Sequence, residues 1–200
     1  MMDLKKTFIF CLVILLGSVA LVSYASSGPK YQMKTSVDAI IYNLKNKELN
    51  QETRRKNISL IIKKRFDFWV ISQRAMATNW KKLSSREKKR FVALFSRFLV
   101  NNYMERIEAY TDETIEYPKE KIKENRAMVS TVILTKSVEI PVMYKMRLKK
   151  GEWLVYDVVI EGVSLIRNYR SSYKEIVKKK GLGTLMAMLE KKIKETHTKY

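Results

Sequence analysis

The stretch IPVMYKMRLKKGEWLVYDVVIEG, residues 140–162, decides the fold of this chain. In residues 140–149 apolar side chains alternate with polar ones, which predicts a strand of an antiparallel sheet with one buried face and one wet face. The apolar set is Val142, Tyr144, Met146 and Leu148, and the polar set is Lys145, Arg147 and Lys149. A tight turn at Lys150-Gly151 then leads into a second predicted strand, Trp153–Glu161. Apolar side chains point to both faces of this strand, so other parts of the protein must shield both faces from water.

Outward from this hairpin, residues 127–134 predict another strand and the flanking sequence predicts helices. Ser36 and Asp67 suit helix caps, and Ser84 with Glu87 forms a capping box ahead of a long helix over residues 85–109. Ser164 suits the cap of a helix that runs to about Lys179, where Gly181 ends it, and a last short helix follows over residues 183–195. The predicted class is α+β: N-terminal helices, a twisted antiparallel sheet of about four strands, and C-terminal helices.

The N-terminus predicts export. Lys5 and Lys6 precede an apolar run of about fifteen residues, shorter than the roughly 20 of a membrane-spanning helix, and small residues follow up to Ala25. We therefore predict a signal peptide over residues 1–25 and a single domain over residues 26–200; an uncleaved anchor is the alternative. Removal of residues 1–25 takes away two lysines and one aspartate, so the formal charge changes from +20 to +19.

A strongly basic chain often binds nucleic acid. An exported chain does not meet genomic DNA, however, so we expect no nucleic-acid partner.

Side chains suited to catalysis are scarce. The one histidine, His197, lies in a Lys-rich tail, and the one cysteine, Cys11, falls within the predicted signal peptide. Asp157 and Glu161 are four apart on one predicted strand, about 13 Å, which is too far for a glycosidase pair. We expect no catalytic residues, no metal site and no cofactor, and a structural role for Asp157 inside its strand.

Four segments carry a resemblance to a known family. WLVYDVVIEGVSLIRNYRSSY, residues 153–173, closely resembles the signature of the MlaC-type (toluene-tolerance, ABC-transport auxiliary) periplasmic phospholipid-binding proteins. The similarity extends through FDFWVISQRAMATNW (66–80), LSSREKKRFVALFSRFLVNNYMERIEAY (83–110) and IPVMYKMRL (140–148). One departure is Met76-Ala77-Thr78, where the family more often has a small residue and Gly before the Trp.

The resemblance implies a periplasmic, monomeric lipid carrier, not an enzyme, with an apolar pocket for phospholipid acyl chains between sheet and helices. It implies shuttling between an outer-membrane lipoprotein complex and an inner-membrane ABC transporter with an MCE-domain protein, which maintains outer-membrane lipid asymmetry. By periodicity within that fold, the expected lipid-binding residues are Phe95, Leu99, Tyr103, Val129, Ile133, Val142, Tyr144, Val155, Val159 and Tyr169. The alternatives are a carrier of another lipid such as a hopanoid, a secreted enzyme acting on an apolar substrate, and a basic module that binds anionic surfaces.

Overall fold

The computed structural model describes residues 27–110 and 112–198. Its first half contains helices α1 (Pro29–Lys45), α2 (Gln51–Arg65) and α3 (Phe68–Met76), a 3₁₀ helix (Ala77–Lys82) and helix α4 (Ser85–Glu108). Its second half contains strands β1 (Thr114–Lys123), β2 (Arg126–Leu134), β3 (Glu139–Lys149), β4 (Glu152–Ile160) and β5 (Val163–Ser164), followed by α5 (Leu165–Thr198). This order confirms the α+β prediction, whereas the predicted signal peptide, residues 1–25, lies outside the described residues.

Polar caps begin the helices largely as the sequence predicts. The Asp67 carboxylate accepts a hydrogen bond from the Val70 N–H at 3.1 Å at the start of α3. At the start of α4 the Ser84 N–H donates to the Glu87 carboxylate at 2.8 Å, and the Glu87 N–H donates back to the Ser84 hydroxyl at 3.2 Å. These contacts satisfy backbone donors that the first helical turn leaves open, and they confirm both predicted caps.

The prediction that Ser36 caps the first helix is wrong. Helix α1 begins seven residues earlier, at Pro29, because proline's fixed φ and missing N–H suit a first helical turn. Ser36 is buried inside the helix, where its hydroxyl donates to the Gln32 carbonyl at 3.1 Å and accepts from the Arg65 guanidinium at 2.9 Å.

The sheet is an antiparallel meander in which the strands lie in chain order from β1 to β5. Across β3 and β4, Lys145 is opposite Asp157 but Met146 is opposite Val155, so Tyr156 is an extra residue on β4. A β-bulge of this kind shifts the alternation of side chains between the two faces. Val155 before the bulge and Val158 after it therefore point to the same face of the sheet, the inner face, which the helices cover.

A buried arginine ties the first two helices to the hairpin of β3 and β4. The Arg65 guanidinium donates to the Gln32 side-chain oxygen and to the Trp153 carbonyl, each at 2.7 Å, and lies 3.3 Å from Glu152. Burial lowers the pKa of Arg65, and the nearby Glu152 carboxylate acts in the opposite direction. The network fixes α1 and α2 over the inner face of the sheet.

The core is divided between the helices and the sheet. Phe91, Phe95 and Tyr173 belong to a cluster of buried side chains from α3, α4 and α5. A second cluster, which we call the sheet cluster, packs Met33 of α1 on the inner face of the sheet; its other buried members are Ala127, Val129, Met146, Trp153 and Val155. The helices and the sheet each have a filled core. The space between the helical layer and the sheet can therefore stay partly open.

Helix α5 is broken at Gly181, where φ is 80° and ψ is 167°. The break confirms the predicted end of the first segment and the start of a second. Among the described residues, no helix has the length and apolar content to cross a membrane.

Candidate functional site

An apolar cavity of about 510 Å³ lies between the inner face of the sheet and the helices. Its volume is within the range of roughly 300–1,000 Å³ that is typical of small-molecule sites. The lining side chains are mainly aliphatic and aromatic, and they come from α1 to α5 and from β1 to β4. An enclosure of this composition can hold a hydrocarbon chain but offers few partners to a polar ligand.

The sheet side of the cavity is formed by one end of the inner face. Here β2 and β3 contribute Ile133, Ile140, Val142 and Tyr144, and β4 contributes Val158 and Ile160. Ile133 is opposite Ile140, Val142 is opposite Ile160, and Tyr144 is opposite Val158, so these six side chains form a continuous surface.

The other end of the inner face is filled by the sheet cluster. Val129 and Val155 are fully buried there. Met33 of α1 belongs to this cluster and also lines the cavity. Met33 therefore marks the boundary where the open space ends and close packing begins.

The helix side of the cavity is formed mainly by α1 and α4, with smaller contributions from α2, α3 and α5. The stripe of α1 consists of Val37, Ile40, Ile41 and Leu44, and that of α4 includes Leu99, Val100, Tyr103 and Ile107. The apolar residues of α4 make two kinds of contact. Phe91 and Phe95 pack against α5, whereas the stripe from Leu99 to Ile107 faces the cavity.

Five of the ten sequence-predicted residues line the cavity: Leu99, Tyr103, Ile133, Val142 and Tyr144. The other five lie elsewhere, so the structure differs from their predicted position at the cavity wall. Phe95 and Tyr169 pack edge to face at 5.3 Å in the helical core. Val129 and Val155 fill the sheet cluster. Val159 is opposite Met143 on the outer face of the sheet, because the bulge at Tyr156 gives the inner-face positions to Val158 and Ile160.

The four residues of the α1 stripe are among the lining residues that were absent from the predicted set. Their helical spacing is visible in the sequence, but nothing in it distinguishes a side chain that faces a cavity from one that packs in a core. The signal that identifies them is structural: Val37, Ile40, Ile41 and Leu44 remain partly exposed, although they face the sheet.

Tyrosine hydroxyls are the main polar groups near the wall. Burial raises the pKa of Tyr144, whose hydrogen bond with Thr131 acts in the opposite direction. Burial also raises the pKa of Tyr169, and its hydrogen bond with Tyr103 acts in the same direction. These phenols are therefore neutral at physiological pH, and Tyr169 supports Tyr103 from behind the cavity wall.

Asp157 lines the cavity, but its carboxylate is already hydrogen-bonded to neighbouring residues of the protein. The Ser164 hydroxyl lies 3.0 and 2.9 Å from its two carboxylate oxygens, and the Lys145 ammonium lies 3.3 Å away. The Ile166 N–H is within 3.4 Å. The carboxylate is thus held by β3 and by the start of α5. Among the described residues, no group of three or more His, Cys, Asp or Glu side chains is placed to hold a metal ion.

Comparisons with known proteins agree with this architecture. A family model described as MlaC protein matches residues 34–191. The intermembrane phospholipid transport system binding protein MlaC of Haemophilus influenzae is 20% identical over 201 residues, which cover 95% of this chain and 94% of that protein.

Among solved structures, the chain is similar to the phospholipid-binding protein of Ralstonia solanacearum, which was solved in complex with a phospholipid. The TM-score is 0.76 at 19% identity, over 84% of this chain and 98% of that one. This similarity shows a common fold. Since the family model covers most of the sequence, the chain belongs to the MlaC family.

Proposed function

We propose that this protein is a periplasmic phospholipid carrier that holds acyl chains in the cavity between α1, α4 and the sheet. The observation that carries the proposal is the cavity itself, about 510 Å³ with an almost wholly apolar wall. The names of the Haemophilus and Ralstonia relatives, which are a phospholipid transport binding protein and a phospholipid-binding protein, support the same ligand class.

Among the residues predicted from sequence, we propose direct acyl-chain contact for Leu99, Tyr103, Ile133, Val142 and Tyr144, all of which line the cavity. The remaining five support that wall from behind. Phe95 and Tyr169 back α4 from the helical core, Val129 and Val155 close the filled end, and Val159 braces β4 from its outer face.

Transfer of hydrocarbon from water into such a site is favourable by about 0.8 kcal/mol per methylene, so a lipid of ordinary chain length is held tightly. Spontaneous release into water is correspondingly slow. Delivery therefore requires a docked partner that opens the cavity or presents a competing apolar surface.

Family membership is the support for a proposal about the partners. We propose that the protein moves lipid between an outer-membrane lipoprotein complex and an inner-membrane ABC transporter with an MCE-domain protein, and so maintains outer-membrane lipid asymmetry. The excess of 40 basic over 20 acidic residues favours acidic docking surfaces. Docking of this kind weakens as ionic strength rises, because exposed charges are screened over about 8 Å at 0.15 M salt.

The turn between β4 and β5 is the proposed hinge for release. Glu161 and Gly162 both have positive φ, 49° and 80°, and they connect β4, which lines the cavity, to the start of α5. A disulfide engineered between the first turn of α5 and β4 should leave lipid bound but prevent its transfer to acceptor membranes. Transfer at the wild-type rate by the oxidised protein would show that this movement is not needed.

The test of the ligand is analysis of lipid extracted from protein purified from phospholipid-containing cells, combined with native mass spectrometry. The carrier proposal predicts phospholipid in a fixed ratio to protein. A hopanoid in the cavity would identify the alternative cargo. Protein without lipid would instead favour the secreted enzyme or the basic surface-binding module and would contradict the proposal.

A further inference from the structure

One residue of the cavity wall does not fit a purely hydrocarbon ligand. Among the described residues that line the cavity, Arg106 is the only lysine or arginine. It lies in the last turn of α4 and is exposed to solvent, while Tyr103 one turn earlier is half-buried in the same wall. Arg106 therefore marks a place where the apolar interior meets water.

The guanidinium of Arg106 has a defined position. It lies over the ring of Tyr103, 5.6 Å from the ring centroid, which is within the distance of a cation–π contact. Tyr103 is itself hydrogen-bonded to Tyr169 of α5. The contact places the charge at the cavity, where a ligand would be recognised through the N–H donors of the guanidinium.

Those donors make no ion pair with any side chain in the part of the chain that the structure describes. The ion pairs among the described residues do not include Arg106, whereas Lys45 of α1 is 3.5 Å from Asp112 in the loop after α4. Two acidic residues also line the cavity: Asp157, which is held by Lys145 and Ser164, and Glu113, which precedes β1. An arginine fork matches the geometry of phosphate oxygens, with which it makes charge-assisted hydrogen bonds.

We propose that Arg106 binds the phosphate of the cargo's head group, so that the cavity selects an anionic phosphate ester over an uncharged lipid with the same acyl chains. This inference rests on the proposed function, since it requires that the acyl chains lie in the cavity. It adds a specificity-determining residue at the point where the head group leaves the apolar wall.

The experiment is a competition between two lipids with identical chains, dioleoylphosphatidylglycerol and dioleoylglycerol, for lipid-free protein, with the bound species counted by native mass spectrometry. We expect the wild type to favour the phosphate-bearing lipid about tenfold, the ratio given by one charge-assisted hydrogen bond at a partly wet site. R106Q should reduce the preference to about twofold or less while still binding dioleoylglycerol, and R106K should retain an intermediate preference.

Arg86, at the opposite end of α4, provides the matched control. R86Q makes the same change in net charge far from the cavity and should keep the wild-type preference. Thermal unfolding of R106Q and R86Q should be close to that of the wild type, because both side chains are exposed.

The results separate this inference from the proposed function. If the wild type bound neither lipid, the carrier proposal would be wrong. If it bound both and R106Q kept the full preference, or if R86Q lost it equally, the role of Arg106 would be overturned. Inorganic phosphate forms a further arm: displacement of phosphatidylglycerol by an equal concentration of free phosphate would show a site for the ion rather than for a lipid head group.

Discussion

The hydroxyl of Ser164 lies 3.0 and 2.9 Å from the two carboxylate oxygens of Asp157, and this contact joins the start of α5 to β4. Ser164 also caps α5, because its hydroxyl accepts from the Arg167 N–H at 3.1 Å. Asp157 is 8% exposed and is paired with Lys145. The carboxylate therefore has a structural role that can be separated from a catalytic one.

Asp157→Asn should lower the free energy of unfolding by about 2 kcal/mol, because the amide cannot replace a buried, charge-assisted acceptor for Lys145 and Ser164. Urea denaturation measures the change. The control is Asp38→Asn, since Asp38 belongs to an exposed i,i+4 pair with Lys34 and should change stability little. An Asp157→Asn protein of unchanged stability that had lost an enzymatic activity would favour the secreted-enzyme alternative.

Ala77 carries a local backbone strain. Its φ is 47° and its ψ is −123°, a conformation that side chains with a Cβ disfavour. Ala77→Gly should therefore raise the free energy of unfolding by about 1 kcal/mol, even though glycine increases the entropy of the unfolded chain.

An alanine-to-glycine substitution at an unstrained position provides the control for Ala77→Gly. Ala93 is exposed within α4, so Ala93→Gly should lower stability by about 1 kcal/mol. Equal destabilisation of both variants in urea would show that position 77 is not strained.

Buried tyrosines predict unfolding at high pH. Burial raises the pKa values of Tyr144, Tyr169 and Tyr173, whereas the unfolded chain ionises its tyrosines near pH 10. The unfolded state thus holds fewer protons above pH 10. The stabilisation is fully present below about pH 10 and is lost as pH rises toward the folded-state values.

Tyr173→Phe isolates one contribution to this pH dependence. Tyr173 is 5% exposed, and its hydroxyl has no hydrogen-bond partner among the described residues. The variant should be at least as stable as the wild type at pH 7 and should lose stability less steeply above pH 10, by up to about 1.4 kcal/mol per pH unit. Tyr42→Phe, at a side chain 71% exposed, should keep the wild-type slope. Identical slopes for all three proteins would contradict a raised pKa for Tyr173.

Strand β3 and the capping box at Ser84 and Glu87 could be predicted from sequence, because local patterns determine them. Strand β1, TIEYPKEKIK, could not, since it is an edge strand with little buried surface in which half of the residues are charged and Pro118 interrupts the pattern. Its inward-facing apolar side chains, Ile115 and Tyr117, are too few to reveal a strand by alternation, although charged edges discourage aggregation.

Half of the ten residues predicted for the cavity wall line it and half do not, for two physical reasons. Alternation assigns Val155 and Val159 to one face, but the bulge at Tyr156 places Val158 there instead of Val159. A helical stripe also has the same spacing whether it meets a filled core, as Phe95 does, or open space, as Leu99 does. Cavities depend on the distance between layers, which tertiary packing determines.

The most direct test of the central claim is to fill the cavity and measure bound lipid. Ile133→Trp enlarges a side chain that faces the cavity, so the protein should fold but co-purify with much less phospholipid than the wild type. Ile122→Trp, on β1 at a side chain 54% exposed, makes the same substitution at the surface and should keep the wild-type ratio of phospholipid to protein by native mass spectrometry. A folded Ile133→Trp protein with phospholipid at the wild-type ratio would contradict the claim that acyl chains occupy this cavity.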